Sequence, residues 1–224
     1  MLEVRETAYR KIDMLKDPRS GQFQYFRHMT DPYASVTVSV DVTELLETAG
    51  SAHFFQTVLY LVTLAANSVP QLRRRFMGDK VVEYDFCPPS YTCMKPDGVY
   101  VYCTPMEMKP YREYIDYCRA CQAQVIARGT LTEDGDPLGH LYVSCLPWLH
   151  YTSLKPPVES CEDSHPMIHW GKYEACGDGH IQMPVTLSVN HALADGLHIS
   201  RFFQCFEEEV AKLCREINQS SNET

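Results

Sequence analysis

The sequence predicts an α+β two-layer sandwich, a mixed and largely antiparallel sheet with helices on one face. Residues 34–42 read Ala-Ser-Val-Thr-Val-Ser-Val-Asp-Val, with valines alternating against small polar residues, which is the pattern of a strand with one buried side. Helical and strand-like stretches then mix without the regular alternation that builds a parallel sheet. Near the end, Ile199, Phe202, Phe203, Phe206, Val210 and Leu213 fall on one face of a helix, so this element needs a layer to pack against.

After the first strand, Thr43 followed by Glu44 marks a helix start. Residues 54–66 are mostly apolar over a helical length and predict a buried helix. Residues 80–84, 90–93 and 99–103 predict short strands, and Asp97-Gly98 between the last two signals a hairpin. A helix over 109–128 stops at Gly129, and 132–137 is a turn-rich loop. Residues 140–145 predict a strand. Residues 155–166, with three prolines and several acids, predict irregular chain. Strands over 167–173 and 180–189 are separated by Gly177-Asp178-Gly179. Beyond Asn218 the chain predicts fraying, so a single domain would span residues 1–218 and a disordered tail 219–224.

A chain of 224 residues, 45% of them hydrophobic, suits one domain with a real core. It has no run of about 18 apolar residues, the length of a membrane span. The opening Met-Leu-Glu-Val-Arg-Glu-Thr is charged and lacks a secretory apolar region. A cytoplasmic protein is the expectation. Ten cysteines are spread along the chain without an export signal, which favours free thiols. Cys118 and Cys121 have C-x-x-C spacing inside a helical stretch, but no second pair completes a zinc site. They are expected to be packing thiols, and no metal is expected. The net charge of −9 disfavours nucleic acid and anionic membrane as partners. A phosphate-bearing ligand would need a local basic patch, for which Arg73-Arg74-Arg75 and Lys172 are candidates. The arginine run also reads as a solvated helix end.

Three segments carry chemistry. The first is Ser188-Val-Asn-His191-Ala-Leu-Ala-Asp195-Gly196-Leu-His198, between a strand-like and a helical run. A neutral His can remove a proton near pH 7, although a His four residues before an Asp is also an ordinary polar pair. The second is Val143-Ser144-Cys-Leu-Pro147-Trp148, a strand end bearing a hydroxyl. Such a hydroxyl can donate to an oxyanion or merely close a turn. The third is Arg19-Ser-Gly-Gln-Phe-Gln-Tyr25-Phe26-Arg27-His28.

In this order and spacing the three segments resemble the trimeric chloramphenicol acetyltransferase family, over roughly residues 10–217. The His-x-x-x-Asp-Gly motif is shared with other coenzyme A-dependent acyltransferases. The Ser-x-x-Pro-Trp stretch, the short length and the N-terminal Arg and aromatics narrow the match. The resemblance implies the same fold and a homotrimer with active sites at subunit boundaries. It implies acetyl-CoA as co-substrate and a small hydroxylated acceptor, chloramphenicol foremost, in an antibiotic-resistance role. His191 would be the general base, with its other ring nitrogen bonded to a backbone carbonyl, and Ser144 the oxyanion donor. Asp195 would pair with Arg19 to hold the turn, rather than complete a triad. Tyr25, Phe26, Tyr100 and Leu154 match acceptor-pocket positions. Lys172 and Tyr173 match a pair along the coenzyme A path, with Trp148 near the same tunnel.

The chain departs from the family at four positions. His169 stands where Thr is usual and water is ordinarily held, and it joins the substrate-binding candidates. Pro156 replaces Leu, Ala34 an aromatic residue, and Tyr102 a small one. These departures leave open a different hydroxylated acceptor. From another class, a non-catalytic binder of a small hydrophobic ligand is the rival. The core of a 2-oxo acid dehydrogenase acyltransferase shares the His motif, but it would carry an N-terminal lipoyl domain and linker for which there is no room.

Overall fold

The computed structural model describes residues 8–222. The opening residues read above for a leader therefore lie outside the described residues. In chain order the strands are β1 (Tyr9–Ile12), β2 (Tyr33–Asp41), β3 (Arg74–Met77), β4 (Lys80–Tyr84), β5 (Pro89–Met94), β6 (Tyr100–Cys103), β7 (Leu141–Leu146), β8 (Met167–Gly171), β9 (Glu174–Ala175) and β10 (Ile181–Asn190). The α-helices are α1 (Ser20–Phe26), α2 (Thr43–Ala49), α3 (Phe54–Asn67), α4 (Tyr111–Arg128) and α5 (Gly196–Asn222).

The main sheet has the order β2-β10-β8-β7-β5-β6, with β9 paired to β10. Its β7 pairs in parallel with β5 and β8, and its other pairs are antiparallel. The predicted α+β sandwich with a mixed sheet is the observed fold. Side chains alternate between faces along each strand. Val143, Ile168, Trp170, Val185, Leu187 and Val189 therefore point one way, into a core shared with Val58 and Leu61 of α3, Tyr114 of α4, and Phe202 and Phe206 of α5. Residues of opposite parity form the other face. There the register aligns Tyr102 with Thr92, Ser144 with His169, His169 with Thr186, and Thr186 with Thr37. Tyr91 lies beside Val143, so Thr92 and Ser144 come next on their strands. A polar row thus crosses six strands on the face away from the main helices.

Local chemistry sets the element ends. Asp41 Oδ1 accepts from the Thr43 amide at 2.9 Å and opens α2. Gly129 stops α4 in a left-handed conformation, φ 69°, open to glycine without the Cβ penalty. Cys118 is buried in the core, and all ten cysteines are free thiols.

The structure corrects two expectations and adds a layer. Arg73-Arg74-Arg75 is neither a basic patch nor a solvated helix end. It closes a 3-10 turn and opens β3, where Arg75 is fully buried. The Arg75 guanidinium donates to the carbonyls of Leu72, Arg74 and His140, and Arg74 pairs with Asp17 and Glu83. These arginines are already occupied. The tail expected from residue 219 is instead helical through Asn222, with the Ser220 hydroxyl donating to the Glu216 carbonyl. The added layer is a small antiparallel sheet, β1-β4-β3. Beside it Phe23 and Phe26 of α1 pack with Met14, Phe76, Ala192 and Leu193.

Candidate active site

The His-bearing turn begins where β10 ends. Asn190 organises it. Its carbonyl accepts from the amides of Leu193 and Ala194, and its side-chain oxygen accepts from Ala192 N at 3.1 Å. Its amide group donates to the Asp163 carbonyl at 2.9 Å. Ala192, Leu193 and Ala194 are buried, so this short apolar run anchors the turn while His191 remains partly accessible. The His191 amide donates to Pro32 O at 2.8 Å.

Arg19 precedes α1 and is 9% exposed. Its Nε donates to Asp195 Oδ2 at 3.1 Å, Nη1 to Ala192 O at 3.2 Å and Nη2 to His191 O at 3.0 Å. One guanidinium therefore grips both ends of the turn. Burial pushes the Asp195 carboxyl upward, but its interactions with His198 and Arg19 and the hydrogen bond from the Leu197 amide outweigh it, and its pKa lies below the usual value. Phe26 stacks on the His191 ring, 4.0 Å between centroids and 21° between planes, and Tyr25 meets Phe26 edge-on. His191 Nδ1 is enclosed and has no hydrogen-bond partner among the described residues. The expected bond from the ring to a backbone carbonyl is absent among the described residues. The His191 carbonyl instead accepts from Arg19, and Phe26 covers a ring face.

A second group lies elsewhere on the sheet. Ser144 and His169 are register partners on β7 and β8. Ser144 is half-buried, and its hydroxyl makes no hydrogen bond among the described residues. Burial pushes His169 down to about 4, so its ring is neutral at pH 7, and its enclosed Nδ1 has no partner among the described residues. Tyr151 folds over this face, its hydroxyl 3.2 Å from Thr186 Oγ1. Tyr100 and Tyr102 meet edge-on along β6, while Leu154 and Pro156 belong to the loop between β7 and β8.

Trp148 follows β7, and Lys172 and Tyr173 follow β8. The Lys172 amide donates to Leu149 O at 2.8 Å, and His150 Nδ1 donates to Lys172 O at 2.9 Å, tying the two segments together. Trp148 is 73% exposed. Tyr173 packs edge-on against Phe54, and Lys172 Nζ lies 3.0 Å from Glu174 Oε1.

The fold brings Arg19, Tyr25, Phe26, His191 and Asp195 together, and Ser144 with His169. It does not bring the two groups together. His191 directly follows β10, five residues past Thr186 and roughly 17 Å along the strand direction, and Ser144 is two strands across, about 10 Å at right angles to it.

A model of the family described as chloramphenicol acetyltransferase matches residues 7–207. The chain belongs to the chloramphenicol acetyltransferase family. Among curated members, "Chloramphenicol acetyltransferase 3" of Escherichia coli is 26% identical over 208 residues, 89% of this chain and 96% of that one. The Clostridium perfringens chloramphenicol acetyltransferase is 26% identical over 203 residues, covering 88% and 92%. A solved chloramphenicol acetyltransferase matches with a TM-score of 0.74 and 26% identity over 90% of this chain and 99% of that one. A probable dihydrolipoamide acetyltransferase from Listeria monocytogenes matches at 0.65 and 17%, covering 90% and 93%, which marks a shared fold.

Within this chloramphenicol acetyltransferase family chain, the motif reading passed over two residues. Asn190 shapes the turn through both its carbonyl and its amide. His198, buried at 4% exposure, places Nδ1 2.7 Å from Asp195 Oδ1. Its position three residues after a helix-opening Asp was the available signal.

Proposed function

We propose that this chain, as a single domain, transfers an acetyl group from acetyl-CoA to a hydroxyl of a small acceptor, with chloramphenicol as the leading one and resistance to it as the role. Family membership supports the reaction class. The observation that carries the residue assignment is the hold on His191, whose backbone is gripped by Arg19 and whose ring is stacked on Phe26, with Nδ1 enclosed. That leaves Nε2 to meet the acceptor.

In this reading the acceptor hydroxyl gives its proton to Nε2 as its oxygen attacks the thioester carbonyl. The Ser144 hydroxyl donates to the oxyanion so formed. The intermediate collapses, the carbon–sulfur bond breaks, and the thiolate of coenzyme A leaves with the proton returned by the imidazolium. No acyl-enzyme forms. Tyr25, Phe26, Tyr100, Leu154 and His169 line the acceptor side. Lys172, Tyr173 and Trp148 receive coenzyme A. Because one chain holds the base and the oxyanion donor far apart, the working site joins His191 of one copy to Ser144 of the next, in a homotrimer. A cytoplasmic setting fits the ten free thiols.

His169 favours a second reading, a different hydroxylated acceptor. Its neutral ring beside Ser144 has an enclosed nitrogen awaiting a polar partner. One assay tests both readings. Thiol release from acetyl-CoA is measured across hydroxylated antibiotics and other small alcohols. Turnover with chloramphenicol supports the first reading, and turnover only with another alcohol supports the second. No release with any acceptor favours the non-catalytic binder.

A further inference from the structure

We infer that His198 is a positioning residue for the base, acting through Asp195 and Arg19. The inference rests on His191 being that base.

His198 lies in the first turn of α5 and is buried. Its Nδ1 has two neighbours on one residue: Asp195 Oδ1 at 2.7 Å and the Asp195 amide nitrogen at 3.2 Å. These contacts demand opposite roles of Nδ1. A bond from the Asp195 amide would make it an acceptor, the helix-capping arrangement in which the third residue reaches back to the cap. A bond to the carboxylate would make it a donor, because an ionised carboxylate only accepts. Asp195 is ionised at neutral pH. Two lone pairs facing each other at 2.7 Å repel, so the hydrogen lies between Nδ1 and Oδ1. His198 is then the Nδ1–H tautomer. Burial, ahead of the opposing pull of Asp195, holds its pKa below the ordinary value and keeps the ring neutral.

This fixes both oxygens of Asp195. Oδ1 accepts from His198 Nδ1 and from Leu197 N at 3.1 Å, while Oδ2 accepts from Arg19 Nε at 3.1 Å. A carboxylate held on both sides cannot turn about its Cβ–Cγ bond. The planar guanidinium opposite it is held too, and its other two nitrogens stay on the carbonyls of Ala192 and His191. The order runs from His198 to Asp195, to Arg19, to the backbone of the base. Without His198 the ion pair remains, but Oδ1 keeps only the longer bond from Leu197 N at 3.1 Å, and the plane of the carboxylate is held less firmly. The grip on the turn loosens, and the imidazole loses its aim at the acceptor.

The test uses the intact enzyme and three variants. His198→Leu removes the donor, His198→Asn offers an amide N–H near the same place, and Asp195→Asn supplies the background for a cycle. Far-UV circular dichroism and melting establish folding. Thiol release with acetyl-CoA and chloramphenicol gives kcat and both KM values. His198→Leu is expected to lower kcat by about 10- to 100-fold, the size of effect that misplacement of a reacting group produces. Both KM values should stay within about twofold, since binding is not what is lost. His198→Asn should recover most of kcat. In the Asp195→Asn background, His198→Leu should cost little more. Equal losses for Asn and Leu, or an undiminished loss in the Asp195→Asn background, would reduce His198 to packing. Nitrogen-15 spectra of the wild-type imidazoles give a readout independent of acetyl transfer and of how the variants fold. An Nδ1–H tautomer is expected for His198, and an Nε2–H tautomer overturns the inference. A wild-type protein inactive on every acceptor would instead sink the acetyltransferase reading and leave the tautomer result standing.

Discussion

At the scale of single residues, the proposed mechanism asks different things of His191 and Ser144. There His191 would move a proton during attack, and the Ser144 hydroxyl would meet a charge that the ground state lacks. His191→Ala should reduce turnover by about 10²-fold or more. Ser144→Ala should lower kcat far more than it raises either KM. Steady-state kinetics of folded variants check both, and a loss confined to KM would make Ser144 a binding group. His169 carries a stability signature as well. Its pKa falls from 6.5 unfolded to about 4 folded. Between these values the unfolded chain binds a proton that the folded chain does not. Its contribution is full above 6.5 and is lost as pH falls, by up to about 1.4 kcal/mol per pH unit. His169→Thr should remove that slope in urea titrations run from pH 7 to 4, and raise kcat/KM for chloramphenicol by leaving room for a bridging water. Parallel stability curves would show that the ring is hydrated, and an unchanged kcat/KM would take it out of the specificity argument.

At the scale of elements, Arg19 and Asp195 join the start of α1 to the start of α5. Each variant, Arg19→Ala or Asp195→Asn, should cost about 3–5 kcal/mol, because it strands a partner in a partly buried place. The double variant should cost less than the sum, and additivity in denaturation measurements would refute the coupling. What the sequence disclosed follows the same division. The strands of the main sheet were legible where alternation was long, as in β2, or where turn residues bounded them, as at Asp97-Gly98. Of the small sheet only its central strand, β4 over 80–84, was legible. β1 reads Tyr-Arg-Lys-Ile and is mostly exposed, and β3 reads Arg-Arg-Phe-Met, whose Arg74 and Arg75 are buried only because Asp17, Glu83 and the His140 carbonyl, from other segments, receive them. The helix α1 escaped notice because, at seven residues, Ser-Gly-Gln-Phe-Gln-Tyr-Phe is too short for the pair Phe23 and Phe26 to establish a helical period. In the site, His191, Asp195 and Arg19 were visible as a motif with a distant partner. The distance of Ser144 from His191 was not, because it depends on strand order.

At the scale of the whole molecule, that distance sets the strongest test of assembly. If each site takes its base from one copy and its hydroxyl from the next, two inactive variants should rescue each other. Trimers formed at random from equal amounts of His191→Ala and Ser144→Ala chains should hold intact sites at about one boundary in four, as follows from a ring of identical head-to-tail contacts. Co-refolded mixtures should then show roughly a quarter of wild-type turnover, with the mass of a trimer by native mass spectrometry. A mixture no better than its parents would place both groups of a site on one chain.

The ion pair between Lys172 and Glu174 has a bearing on how the coenzyme arrives. Lys172, the lysine proposed to meet phosphate, is not free. Its ammonium already lies 3.0 Å from a carboxylate, on a chain whose formal charge is −9. An incoming polyanion therefore exchanges one ionic contact for another, and does so against a repelling field. Dissolved salt screens that field over a length of about 10 Å at 0.1 M. Moderate ionic strength should thus speed encounter, so KM for acetyl-CoA should fall as salt rises from low levels. An enzyme that drew its coenzyme in by attraction would respond the opposite way.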